Sequence, residues 1–178
     1  MRGRRRQWIL LPLPLLLLTA CTPPDEPILA LAVQDGQPVG VLVTCEDRVA
    51  RLAVFENNHQ GEPGKRTLIR WSIDGPPASE IVEVTLLGQP PEGWEVAGVV
   101  GTPAAEAGID PDVEPLTEFR PGVTYTVVGS SRRDSIPVDF TLADLPRIGP
   151  DQVLAPRGQD STTVVSRETF LRKARDKC

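Results

Sequence analysis

Short apolar–polar segments, cut apart by proline and glycine, constrain the fold of this chain most strongly. The 178 residues include 19 prolines and 15 glycines, and proline interrupts both helices and central strands. Between these breaks, apolar residues recur with a period of two, as in Ile69, Trp71 and Ile73. This alternation is typical of half-buried strands. The pattern disfavours a helical bundle and predicts a mainly β chain.

Eight segments carry this alternation and predict short strands. They span residues 28–33, 39–45, 48–55, 67–73, 80–87, 94–100, 123–128 and 136–142. Asp35-Gly36 separates the first two segments as a tight hairpin turn would. The valines of the second segment share one face with Cys45, which predicts that Cys45 points inward. Residues 101–118, rich in alanine, glycine, proline and acidic side chains, are expected to form a long connection.

The end of the chain changes its period and predicts a short C-terminal helix. Ser166 can cap the N-terminus of this helix. Phe170, Ala174 and Cys178 then fall at positions i, i+4 and i+8, on one face. We expect the helix to lay Phe170 on the sheet and to bring Cys178 near Cys45.

Many short strands with regular turns favour an antiparallel β-sandwich with a single core. The segment Phe119-Arg120-Pro121-Gly122-Val123-Thr124-Tyr125 resembles the turn and tyrosine corner before strand F of fibronectin type III domains, and the resemblance extends over residues 48–142. It implies an immunoglobulin-like or fibronectin type III-like sandwich, with Trp71 in the core and the Tyr125 hydroxyl bonded to backbone near the turn. Two extra N-terminal strands, the long connection and the terminal helix depart from that family.

The N-terminus carries an export signal. Four arginines precede an apolar run that ends at Leu18-Thr19-Ala20-Cys21, and this arrangement resembles a bacterial lipoprotein signal peptide with its lipobox. The apolar residues 9–18 are about half of the roughly 20 that a spanning helix needs. The resemblance implies cleavage before Cys21 and lipidation of its sulfur. An ordinary secretory signal and a twin-arginine signal, the latter suggested by Arg5-Arg6, are the alternatives.

Cleavage defines the expected organisation of the chain: a signal peptide over residues 1–20, a lipidated, proline-rich tether over 21–27 and one β-sandwich domain over 28–178. An extended tether of this length reaches roughly 20 Å, at about 3.1 Å per residue. Losing four arginines lowers Lys+Arg from 19 to 15 against 24 acidic residues, so the net charge falls from −5 to −9. Such an acidic domain disfavours nucleic-acid binding.

The cysteine count is informative in an exported protein. With Cys21 assigned to the lipid, Cys45 and Cys178 remain as an even pair in an oxidising compartment. We therefore expect a disulfide that closes nearly the whole domain. Two free thiols are the alternative.

Candidate chemistry is sparse. His59 is the single histidine, and with Glu56 and Glu62 it could form a metal or base site, although a catalytic zinc site usually needs more nitrogen or sulfur ligands. Asp110, Asp112 and Glu114 offer oxygen ligands to calcium but lack the glycine turn of an EF-hand loop. No nucleophile-elbow or zinc-protease motif occurs. Both the segment around His59 and the segment around Asp112 are better explained as solvated loops than as metal or catalytic sites.

Three further features are also read as structural rather than as sites. Arg132 and Arg133 lie on a predicted hairpin loop, where we expect them to be solvated and not to form an anion site. The basic end of the C-terminal helix suits its macrodipole. Trp94 is expected to pack in the core.

The sequence therefore predicts an exported protein, anchored to the membrane through Cys21 and facing the extracytoplasmic side. Its expected role is that of a non-catalytic binding or accessory module, with no cofactor and with a protein partner in the cell envelope as a possibility. The alternatives are an envelope hydrolase or metal-dependent enzyme that uses His59 with acidic residues, and a small-ligand-binding lipoprotein with a pocket beside residues 101–118.

Overall fold

The computed structural model describes residues 25–45, 49–57, 68–77, 80–97 and 113–177. Across these residues the chain forms mainly β-strands. In chain order they are β1 (Leu29–Gln34), β2 (Gln37–Val43), β3 (Ala50–Glu56), β4 (Leu68–Gly75), β5 (Ile81–Thr85), β6 (Glu95–Val96), β7 (Val113–Pro115), β8 (Tyr125–Ser130), β9 (Val138–Phe140), β10 (Gln152–Pro156) and β11 (Thr162–Ser166). A 3₁₀ turn spans Leu145–Arg147, and helix α1 spans Arg167–Arg175.

The strands form two sheets. The first has the order β11-β10-β1-β2-β5, and the second has the order β6-β4-β3-β8-β9, with β7 paired to β4. All pairings are antiparallel except β7 with β4, which is parallel. The division of β1, β2 and β5 from β3, β4, β8 and β9 follows the immunoglobulin-like partition of strands. The predicted mainly β sandwich with a short C-terminal helix is confirmed.

The first sheet is buried on both faces. Its inner face, with Leu31 and Leu42, packs into the main core against Leu52 of the second sheet. Its outer face forms a second apolar cluster under Phe170 and Ala174 of α1. Burial of Phe170 alone contributes about 1.5–3 kcal/mol. The helix thus makes a third layer over the sandwich.

This third layer explains the continuous apolar run of β2. Val39, Val41 and Val43 lie in the cluster under α1, whereas Leu42 lies between the two sheets. In a strand with only one buried face, these valines would have packed against the second sheet. They face the helix instead, because a strand covered on both sides is apolar on both sides.

Two local signals in the first sheet and at the start of α1 are confirmed. Asp35 and Gly36 adopt φ values of 50° and 76°, and Gln34 pairs with Gln37. This is the two-residue turn with positive φ at both positions that suits a right-twisted hairpin. The side chain of Ser166 accepts a hydrogen bond from the Thr169 N–H and caps α1.

Other expectations changed. Strands β10 and β11 were not predicted, and β7 lies within the expected 101–118 connection, of which residues 113–118 are described. The predicted strand over 94–100 is reduced to the two residues of β6 among the residues described there. Trp94 is buried, as expected. Trp71 only packs against the margin of the core and stays partly exposed, because β4 lies outside the central strand β3.

Candidate functional site

The residues proposed for catalysis or metal binding are not assembled in the described part of the chain. Outside the described residues lie His59, Glu62, Asp110 and Asp112. Glu114 is exposed on β7. Within the described ranges, no group of three or more histidine, cysteine or acidic side chains is arranged to hold a metal ion.

Glu56, which was paired with His59 in the sequence-based hypothesis, has a structural partner. Its nearly buried carboxylate accepts a hydrogen bond from the guanidinium of Arg120. This bond is the main reason why the pKa of Arg120 is raised. The pair fastens the end of β3 to the turn before β8.

Tyr125 makes the contact that its resemblance to a tyrosine corner implied. Its hydroxyl accepts a hydrogen bond from the backbone N–H of Arg120 at 2.7 Å. Its ring is fully buried and meets Phe119 and Phe140, with ring centroids 4.8 and 5.7 Å away. The tyrosine therefore stabilises the turn and the core.

The chain enters the sandwich at Glu26, which joins three parts of the fold. Its backbone N–H donates to Asp134 and its carbonyl accepts from Ile136, both at 2.9 Å. Its carboxylate lies between Lys177 Nζ, at 3.2 Å, and Arg133 Nη1, at 3.9 Å. Arg133 thus finds a carboxylate partner within the fold. These contacts hold the first residues of the described chain against the β8–β9 loop and the end of α1.

Cys45 lies in the same neighbourhood and is 2% exposed. The Ser131 hydroxyl accepts a hydrogen bond from the Cys45 N–H at 3.0 Å and donates one to the Cys45 carbonyl at 2.8 Å. Ser131 belongs to the β8–β9 loop, as do Arg133, Asp134 and Ile136, which bind Glu26. Cys21 and Cys178 lie outside the described residues, so lipidation and the Cys45–Cys178 disulfide stay predictions.

A groove of about 460 Å³ lies between α1 and the β10–β11 hairpin. Its apolar walls include Ile136, Ala155, Val165 and Phe170. Pro27 forms part of the same wall, so the groove reaches the point where the tether joins the domain. The volume falls within the range of about 300–1,000 Å³ that is common for small-ligand sites.

Two cations border this groove. Arg157 and Lys173 contribute to its lining, and both side chains are exposed. Neither has an ion-pair partner among the residues that the structure describes. Arg167, at the start of the helix, is instead paired with Glu83 of β5. The groove therefore combines an apolar floor with positive charge that is not neutralised by described carboxylates.

Sequence reasoning missed this groove because its residues are scattered. They come from Pro27, from Ile136, from the unpredicted β10–β11 hairpin and from α1. The basic end of the helix was visible in the sequence, but nothing in the sequence indicated that Lys173 lies beside the same groove as Pro27.

A second cavity, of about 470 Å³, lies at the opposite end of the sandwich, near the β1–β2 turn. Its lining includes Gly36 and Leu87, and it touches residues 117–119. This is the end of the segment beside which a ligand pocket was expected. Apolar side chains such as Leu86 and Phe119 line it together with turn residues and Glu118, and its lining residues in the described part of the chain include no cation.

The outer face of the second sheet carries a cross-strand ion pair. Arg51 and Asp74 meet through two bonds of 2.6 and 2.9 Å. The neighbouring Arg70 has a buried Nε without a hydrogen-bond partner, and its pKa is lowered by burial and by the positive charge of Arg51. The side chain of Arg70 as a whole is only partly buried.

Comparison with protein-family models, with curated proteins and with solved structures finds no significant match. In the described part of the chain, no helix has the length and apolar character needed to cross a membrane.

Proposed function

We propose that this chain is a bacterial lipoprotein: a β-sandwich held at the outer side of a cell-envelope membrane by a lipid on Cys21, where it acts as a non-catalytic binding or accessory module. The observation that carries this proposal is the sequence Leu18-Thr19-Ala20-Cys21 at the end of a basic and apolar leader. A leucine, a small pair and a cysteine coincide at the position where a signal peptide would be cleaved.

The arrangement of the domain supports this proposal. Glu26, five residues after Cys21, is already fixed to Asp134, Ile136 and Lys177. The stretch between lipid and fold is therefore short, and the domain lies close to the bilayer. Two or three acyl chains, at about 0.8 kcal/mol per buried CH₂, give stable attachment without a spanning helix.

The anchor is tested by replacing its cysteine. Cells that express the full chain would be labelled with an alkyne fatty acid, fractionated and probed for the protein. Wild type should take up label and stay in the membrane fraction, whereas Cys21→Ala should lose the label. Thr22→Ala is the matched control, because it alters the next residue and keeps the cysteine. Unlabelled wild type, or a labelled Cys21→Ala, would contradict the anchor.

The non-catalytic role has its own test. The sequence offers one histidine and none of the common hydrolase motifs. We expect His59→Ala to leave growth and envelope integrity unchanged under conditions where deletion of the protein alters them. A His59→Ala strain that reproduces the deletion phenotype, with normal protein levels, would favour the enzyme hypothesis instead.

A further inference from the structure

We infer that the groove between α1 and the β10–β11 hairpin binds an acyl chain of an anionic membrane lipid, with the lipid headgroup on Arg157 and Lys173. The inference rests on the proposed membrane attachment only for the source of the lipid. The groove, its charges and its position come from the folded domain.

The groove has the chemistry of an amphiphile site. Ala155, Val165 and Phe170 offer an apolar floor, where burial of a hydrocarbon chain is favourable. Arg157 and Lys173 lie on the lining and are exposed. A ligand with an apolar tail and a negative head matches both features, whereas the neutral glyceryl thioether of the protein's own anchor would leave the two cations unmatched.

The position of the groove favours a lipid over a soluble amphiphile. Antiparallel pairing sets Leu31 opposite Leu154, so Pro156 and the adjacent Arg157 lie at the end of the sheet where β1 begins. Pro27 lines the groove at that same end. The groove is therefore at the tether end of the domain, within the reach of about 3.1 Å per tether residue from the bilayer.

The charge distribution agrees with this orientation. The mature chain is acidic overall, with 24 acidic against 15 basic residues after cleavage. Yet the C-terminal half of α1 and the residues up to 177 carry four basic side chains (Arg172, Lys173, Arg175 and Lys177) against Asp176. Glu26 offsets part of this charge through Lys177 and Arg133. A basic helix beside the tether is drawn to an anionic leaflet, while the rest of the acidic domain is repelled.

Photo-crosslinking tests the inference directly. Mature protein purified from membranes would be mixed with phosphatidylcholine vesicles that contain an equal amount of phosphatidylglycerol with a diazirine in its acyl chain. We expect crosslinks on the peptides that carry Ala155, Val165 and Phe170. The same diazirine placed on phosphatidylcholine should give a clearly lower yield at these peptides.

Substitutions test the contacts to the lipid headgroup and the contacts to the acyl chain separately. Lys173→Glu and Arg157→Glu should each lower the crosslink yield by at least about fivefold, since each cation near an anionic surface contributes a factor of this order and the new carboxylate adds repulsion. Arg147→Glu is the matched control, because Arg147 is a 72% exposed arginine at the opposite end of the domain and the charge change is the same. Thr163→Trp should fill the groove and remove the crosslinks while the melting temperature stays near that of wild type.

Three results would overturn the inference: no crosslinks in the groove, equal yields from the two lipids, or equal losses in Lys173→Glu and Arg147→Glu. Occupation of the groove by the protein's own acyl chains would exclude the probe and would also count against it. The mass of the N-terminal peptide from the same sample reports whether Cys21 is acylated. The peptide mass therefore tests the lipid anchor, and the crosslinks independently test lipid binding in the groove.

Discussion

Lys177 and Glu26 join the two ends of the described chain: Lys177 Nζ lies 3.2 Å from Glu26 Oε2. Glu26 lies in the segment before β1, and Lys177 follows the C-terminal helix. The carboxylate side chain is only 13% exposed, so the contact is better shielded from salt than most surface ion pairs. The ion pair holds α1 over the first sheet at the end where the membrane anchor is proposed.

The placement of Lys177 gives the predicted disulfide a geometric reason. Glu26 and Cys45 both contact the β8–β9 loop, so Lys177, which is paired with Glu26, lies on the same side of the fold as Cys45. We expect non-reducing peptide mapping of the mature protein to find Cys45 linked to Cys178.

Loss of this bridge should be costly. Cys45→Ser and Cys178→Ser should each lower the free energy of unfolding by about 2–5 kcal/mol, and the double variant should lose little more. Urea denaturation of the three variants measures this. Two free thiols in the wild-type protein, or additive losses in the double variant, would contradict the pairing.

The Tyr125 hydroxyl predicts a second effect on stability. Tyr125→Phe keeps the ring against Phe119 and Phe140 but leaves the Arg120 N–H without its 2.7 Å partner. The expected cost is about 1–3 kcal/mol, measured by urea denaturation. Arg120→Ala serves as the comparison variant, since it keeps the backbone N–H and removes the guanidinium that interacts with Glu56 and with the Tyr125 hydroxyl. A neutral Tyr125→Phe would show that the bond does not stabilise the turn.

Gly75 is required by the packing of Trp94. A Cβ at Gly75 would lie 2.1 Å from the indole ring, and neighbouring atoms would have to shift. Gly75→Ala should therefore destabilise the protein by about 1–3 kcal/mol, as overpacked sites do. In a Trp94→Ala background the same substitution should cost little, so thermal denaturation of the four proteins gives a double-mutant cycle. Equal costs in both backgrounds would place the strain elsewhere.

Asp144 predicts a pH dependence. Its carboxylate accepts hydrogen bonds from the Thr141 N–H and hydroxyl, at 2.9 and 2.8 Å, and the bond from the Thr141 N–H is the main reason why its pKa is lowered. A carboxyl group whose pKa is lower in the folded state stabilises the fold above its unfolded pKa of about 3.9. This contribution is lost as the pH falls through the folded pKa.

Asp144→Asn should accordingly cost about 1 kcal/mol at neutral pH, and the difference from wild type should disappear in acid. Urea denaturation over a pH series measures this. Arg147→Ala should have a smaller effect, because Arg147 is largely exposed and exposed ion pairs contribute little. A difference that persists unchanged well below the folded pKa would contradict the assignment.

Local chemistry made part of this fold predictable. Asp35-Gly36 fixes its turn through positive φ values, and Ser166 caps α1 through its own side chain. Tyr125 finds its backbone partner five residues away. In each case the decisive interaction lies within a few residues along the chain.

The remaining features depend on long-range packing. Val39, Val41 and Val43 face α1 only because a helix more than 120 residues later covers that side of the sheet. Residues around β10 and β11 contain Pro150, Pro156 and Gly158, which suggest breaks rather than strands. Pairing of β10 with β1 overrides these local signals. The groove could not be predicted for the same reason, since its wall combines Pro27 with Phe170, which are far apart along the chain.

The identity of the mature N-terminus tests the account most directly. Intact-mass and fragmentation measurements on the N-terminal peptide of the membrane-extracted protein should show a chain that begins at Cys21, with a diacylglyceryl group on its sulfur. Peptides from residues 1–20 should be missing from the mature form. A mature chain that begins at another residue, or that begins at an unmodified Cys21, would contradict the proposed lipoprotein.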